Sequence, residues 1–229
     1  MTKNPFKRLT SGELILWLIS LITVIVSNIF AKDASISTIL GTAIGVTALI
    51  FVAKGDVFGQ VLTVVFSFLY AVTSFAFRYY GEMITYMGMT MPMAALSVIS
   101  WLKHPFKKGK NEVKIHKLTR FEKFLMILLS FIVTLIFYFI LKALNTPNLL
   151  FSTISVTTSF LASYLTFFRN SYYALAYAAN DIVLIVLWIL ASIESFSYFP
   201  MIICFVMFFI NDIYGFISWK IREKKQALI

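Results

Sequence analysis

Tyr173, Tyr177 and Asn180 are spaced four and three residues apart inside an apolar stretch, which puts their side chains on one face of a helix. Asp181 follows directly. A second amide and carboxyl, Asn211-Asp212, sits in the last apolar stretch, where Asn211, Gly215 and Ser218 share a face. Aromatic rings stack on planar heterocycles and ring cations, while amides and carboxyls bind hydroxyls. The set therefore suits a flat heteroaromatic ligand bearing sugar-like hydroxyls. Gln60 and Tyr70, from an earlier stretch, are the candidate counterparts across such a site. Each residue also has a plainer use, since polar side chains between membrane helices act as modest glue worth about 0.6 kcal/mol per contact. Asp212 further has Lys220 and Arg222 nearby as ion-pair partners.

The elements that must position these groups follow from composition. Of 229 residues, 60% are apolar, 17% aromatic and only 13% charged, with mean hydropathy +0.87. An ordinary soluble domain carries about 25% charged residues, so this is an integral membrane protein. Apolar stretches run through about 14–31, 36–53, 57–77, 84–102, 124–141, 149–168, 172–192 and 198–219. Each is long enough to span a bilayer and none alternates as a barrel strand does, which predicts an all-α, polytopic protein of about eight transmembrane helices. The first stretch reads as a retained helix, because Ala31-Lys32-Asp33-Ala34 lacks a cleavage-site spacing. Pro92 should loosen the fourth helix by removing a backbone hydrogen bond.

The net charge is +10, and its distribution is topogenic. If successive loops alternate sides, 17 of 20 Lys and Arg fall on one side, leaving Lys32, Arg78 and Lys142 on the other. That bias predicts both termini and the basic segment from Lys103 to about Arg120 in the cytoplasm, with the segment as a solvated linker. The excess is explained without nucleic acid. His104 and His116 lie in that segment without an acidic or Cys cluster, so no metal site is expected, and Cys204 reads as a packing residue.

The chain also repeats itself. Arg8-Leu9-Thr10-Ser11-Gly12-Glu13 corresponds to Lys117-Leu118-Thr119-Arg120-Phe121-Glu122 at an offset of 109, each with a T-x-x-E capping box. Ile99-Ser100-Trp101 recurs as Ile217-Ser218-Trp219 at 118, and Phe68-Leu69-Tyr70-Ala71 aligns with Val186-Leu187-Trp188-Ile189 at the same offset. Copies of this kind share one orientation, a plan used by secondary transporters that hold substrate between the copies.

With these residues in hand, the chain resembles the PnuC family of nicotinamide riboside transporters over about residues 36–222. The family's W-x-x-W-x-x-x-N marker falls on Tyr173, Ala176 and Asn180, with Tyr177 one place after the second position, and Tyr214-Gly215 with Trp219 resembles its Y-G and W pattern. The resemblance implies a seven-helix core in a three-one-three arrangement, related to the SWEET sugar transporters, plus an added N-terminal helix. The units would be 1–35, the N-terminus and extra helix; 36–102, the first repeat; 103–148, the basic loop and linker helix; and 149–229, the second repeat and basic tail. It further implies facilitated uptake at the cell membrane, with a cytoplasmic kinase trapping the product. Carriers of thiamine, riboflavin or deoxynucleosides in the same fold are the alternative, and a homo-oligomer is left open.

A rival class, an intramembrane aspartyl enzyme using Asp181 and Asp212, lacks the G-x-G-D element; Gly55-Asp56 lies at a turn. No G-x-S-x-G and no P-loop occurs, so neither a catalytic residue nor a bound cofactor is expected.

Overall fold

Thr10 and Thr119 each open a long helix through the reciprocal bonds expected of their capping boxes. In α1 (Ser11–Phe30) the Thr10 N–H donates to Glu13 Oε2 at 2.7 Å and the Glu13 N–H to Thr10 Oγ1 at 3.3 Å. In α6 (Arg120–Ala143) the Thr119 N–H donates to Glu122 Oε2 at 2.6 Å and the Glu122 N–H to Thr119 Oγ1 at 3.2 Å. Two orphan donors are satisfied at each start. This is a computed structural model, and it describes residues 4–30, 36–76, 78–107 and 112–228. Lys3, Lys32 and the Lys108-Gly109-Lys110 part of the basic segment lie outside the described residues.

The remaining helices are α2 (Ile36–Ala53), α3 (Val57–Ala76), α4 (Tyr80–Thr85), α5 (Met91–Lys103), α7 (Leu149–Phe167), α8 (Tyr173–Glu194) and α9 (Phe199–Ala227). A π turn, Tyr86–Thr90, joins α4 to α5, so that eight apolar spans result among the described residues. The perturbation expected at Pro92 thus lies one turn earlier. Pro92 has no N–H to offer the Gly88 carbonyl, and the wider π turn takes up the lost α-helical register.

The six core spans close into a ring. Helix α2 packs on α3 and α9, α3 on α5, α5 on α7, α7 on α8, and α8 on α9. Helices α1 and α6 stand outside, on α2 with α9 and on α7 respectively. Gly59 lets α2 and α3 approach closely, because a Cβ there would overlap the Val52 backbone.

At the end of the bundle that bears the described N-terminal residues, the two copies grip one another. Trp101 Nε1 donates to Thr166 O and Trp219 Nε1 to Val52 O, both at 2.9 Å. Beside them Ser100 Oγ donates to Phe167 O and Ser218 Oγ to Ala53 O, again at 2.9 Å. The two indoles lie 5.5 Å apart. Each third helix therefore holds the end of the other copy's first helix.

The turns that follow match as well. Gly55 and Arg169 both adopt positive φ, and Asp56 Oδ1 and Asn170 Oδ1 accept from Phe58 N and Tyr172 N at 3.0 and 3.1 Å. Arg169 sustains a backbone conformation that favours glycine because its guanidinium is tied to Ser100 Oγ and Lys114 O. These bonds set the offset at 114 through the first helices and into the second, one helical turn from the 118 suggested by residue type around Tyr70. Trp101 and Trp219 keep 118 for the third helices.

The basic segment is not a free linker. Val113 is buried beside Trp101 and Trp219, its N–H donates to Gly55 O, Lys114 N–H to His104 O, and His116 N–H to Arg169 O. Its apolar residues and backbone donors find partners beneath the bundle, which the charge run conceals.

Candidate functional site

Between the copies lies a cavity to which all six core spans contribute. Helix α8 supplies Tyr177, Asn180 and Asp181, α9 supplies Phe208 and Asp212, and α7 supplies Ser159. From the first copy come Gly45, Ala48 and Leu49 of α2, Gln60, Thr63 and Phe66 of α3, and Tyr86 and Thr90 of the π turn. The free volume is about 50 Å³, room for a few waters. Phe208 occupies the space a side chain at Gly45 would need, and its ring stands 5.3 Å from that of Phe66.

Asn180 is the most heavily engaged group. Its Oδ1 accepts from Ser155, Thr158 and Ser159 at 3.3, 2.8 and 3.1 Å, an array on one face of α7. Asn180 also lines the cavity, and its amide N–H₂ is a further donor. Tyr177 and Ser163 share a hydroxyl hydrogen bond of 3.3 Å. Asp181 and Asp212, both 3% exposed, line the cavity together, and Asp181 Oδ2 is buried without a hydrogen-bond partner. No Lys, Arg or His lines the cavity among the described residues.

Five of the eight sequence candidates, Gln60, Tyr177, Asn180, Asp181 and Asp212, meet here. Three lie elsewhere. Tyr173 is buried against the Trp219 ring at 4.7 Å, in the aromatic floor beneath the cavity. Tyr70 stands one layer behind, its ring 4.2 Å from that of Tyr86 and its hydroxyl accepting from Trp188 Nε1. Asn211 faces the other way: its Nδ2 donates to Ser20 Oγ of α1 at 2.8 Å. The face of Asn211, Gly215 and Ser218 is thus a packing face, with Gly215 against Tyr173, Ala174 and Ala53.

Nor does Asp212 pair with Lys220 or Arg222. Lys220 binds Glu223 at 3.0 Å and covers the Tyr172 ring, while Arg222 binds Glu112 at 3.2 Å. Both cations lie more than two turns further along α9, outside the apolar layer. Sequence reasoning missed Tyr86 and Thr90, whose four-residue spacing before Pro92 was an available signal, and the Ser155, Thr158 and Ser159 array on α7.

Outside the spans, Asp56 pairs with Arg8 at 2.5 Å. Burial pushes its carboxyl above the ordinary carboxylate range, although the Phe58 N–H and the Arg8 guanidinium pull the other way. Burial likewise lowers the Arg169 guanidinium from its usual value.

A parallel duplicated bundle that encloses a polar, aromatic cavity at its seam is a plan on which secondary transporters are built. The family model described as nicotinamide mononucleotide transporter matches residues 35–221, and the chain belongs to that family. Among its relatives is the nicotinamide riboside transporter PnuC of Neisseria mucosa, 25% identical over 204 residues, covering 87% of this chain and 77% of that one. The crystal structure of the vitamin B3 transporter PnuC superposes with a TM-score of 0.79 at 24% identity, covering 95% of this chain and 94% of that one. That likeness establishes the eight-span fold.

Proposed function

We propose that this protein carries nicotinamide riboside, or a closely related ring riboside, across the cell membrane through the cavity at the seam. The observation that carries this reading is the convergence of Tyr177, Asn180, Asp181 and Asp212 from one copy with Gln60 and Tyr86 from the other. Two phenol rings suit the faces of a pyridine, and the amide and carboxyls suit a ribose diol and a carboxamide. The related transporter's name points to the same ligand.

A ribosylated ring needs more room than about 50 Å³, so the conformation described is a closed one, and the Phe66 and Phe208 rings are the groups that must part. The excess of Lys and Arg on one side of the spans supports a cytoplasmic position for both termini. In this reading the ligand runs down its own gradient, and a cytoplasmic kinase, acting on the product alone, prevents its return. Purified protein in liposomes without any ion gradient should equilibrate labelled nicotinamide riboside faster than empty liposomes do. Failure to equilibrate would reject facilitated diffusion of this substrate.

A further inference from the structure

Two carboxylates in one enclosed, mostly apolar cavity repel each other unless at least one holds a proton. Asp181 and Asp212 share such a cavity, walled by Leu49, Phe66 and Phe208, and no cation from the described residues lines it. Asp181 Oδ2 is buried, without a hydrogen-bond partner, and belongs to the wall of that cavity. A free charge inside an apolar layer is costly, and the pair is placed where a ligand can approach it.

We propose that Asp181 and Asp212 form a proton-for-cation exchange site: the empty pair holds one proton, and a ligand carrying a ring cation displaces it. This inference rests on the reading of the cavity as a riboside site. The charge balance supports it. The singly protonated pair carries one negative charge; the fully ionised pair beside a ring cation carries the same net charge. The seam therefore binds a cation without changing the charge it must bury, and the proton leaves to water. A neutral ligand offers no such exchange and leaves the proton in place.

The other titratable groups around the pair do not supply the proton balance. Tyr177 of α8 and Tyr86 of the π turn share the cavity wall, Tyr173 lies in the floor beneath it and Cys204 of α9 in the packed core, phenols and a thiol that are uncharged at neutral pH by their ordinary values, and the cavity residues of α2, α3 and α7 are not titratable. Glu82 of α4 is buried and does not line the cavity, and Arg222 is engaged by Glu112.

The test is calorimetric titration of the full-length protein with nicotinamide riboside, a cation, and with its neutral 1,4-dihydro form. The cation should release about one proton per molecule bound, read from two buffers of different ionisation heat. Its apparent affinity should rise with pH, by up to tenfold per unit, for as long as the empty pair keeps its proton. The dihydro form should bind without proton release at a pH-independent affinity, and Asp181→Asn should abolish the release. Should that variant fail to fold, the wild-type comparison decides by itself. Cation binding without proton release, or binding of the neutral form alone, overturns the exchange while leaving the carrier reading intact. If neither form binds, the carrier reading falls and the exchange falls with it.

Discussion

The two ends of the seam differ in how far they keep the duplication. At the basic end the copies are interchangeable: Trp101 and Trp219 make equal bonds to Thr166 and Val52, and Asp56 and Asn170 cap matching turns. At the cavity the equivalent positions have diverged. With the same offsets, Asn180 corresponds to Phe66, Asp181 to Ser67, Ser159 to Gly45 and Asp212 to Ala94. Positions that hold the copies together are constrained by a bond that only one geometry satisfies. Positions that face a ligand need only line the same hollow, so one copy can hold nearly all the polar chemistry while the other supplies apolar wall.

The largest effect should come from the symmetric end. Trp101→Ala and Trp219→Ala each remove a fully buried indole with its hydrogen bond, at a cost of about 3–5 kcal/mol. Denaturant unfolding in detergent should give losses that agree with each other; a large difference would break the equivalence. Next, Asn180→Ala removes the acceptor for three hydroxyls as well as a cavity amide. Losing about 2–3 kcal/mol there should slow riboside uptake by roughly 30–150-fold. Phe66→Leu, at its counterpart, should change uptake far less.

A smaller effect is expected of Pro92→Ala. Restoring an N–H toward Gly88 favours regular helix over the π turn and moves Tyr86 and Thr90, so uptake should fall severalfold while thermal stability holds or rises. Unchanged uptake would detach the π turn from function. The mildest is Asp56→Asn, which makes the two turns alike. The amide keeps the cap to Phe58 and gives up the ion pair with Arg8; because burial already disfavours the Asp56 carboxylate, the change in unfolding should be about 0–1 kcal/mol. Asp56→Ala should cost about 1 kcal/mol more, through the lost cap.

Helical spacing made Tyr177 and Asn180 visible as one face, and burial of a carboxyl at mid-membrane made Asp181 and Asp212 worth naming. The same reasoning could not distinguish Tyr173, one turn from Tyr177, because adjacent turns of one face can meet different neighbours: a cavity above and the Trp219 ring below. Asn211 and Asp212 are neighbours on the chain and therefore point about 100° apart, one to α1 and one to the cavity. The basic segment shows the converse, since its charges describe one side of a strap whose other side is Val113.

By itself the sequence determined the eight spans, the two capping boxes, the charge bias and the duplication, because these depend on length, local hydrogen bonds and composition within one element. Only the tertiary structure decided which polar side chains share the cavity, which copy supplies them and how the Trp101 and Trp219 ends cross. Those outcomes depend on how each helix is rotated and raised against its neighbours. Periodicity along a single helix specifies which residues lie together, but not what that face will meet.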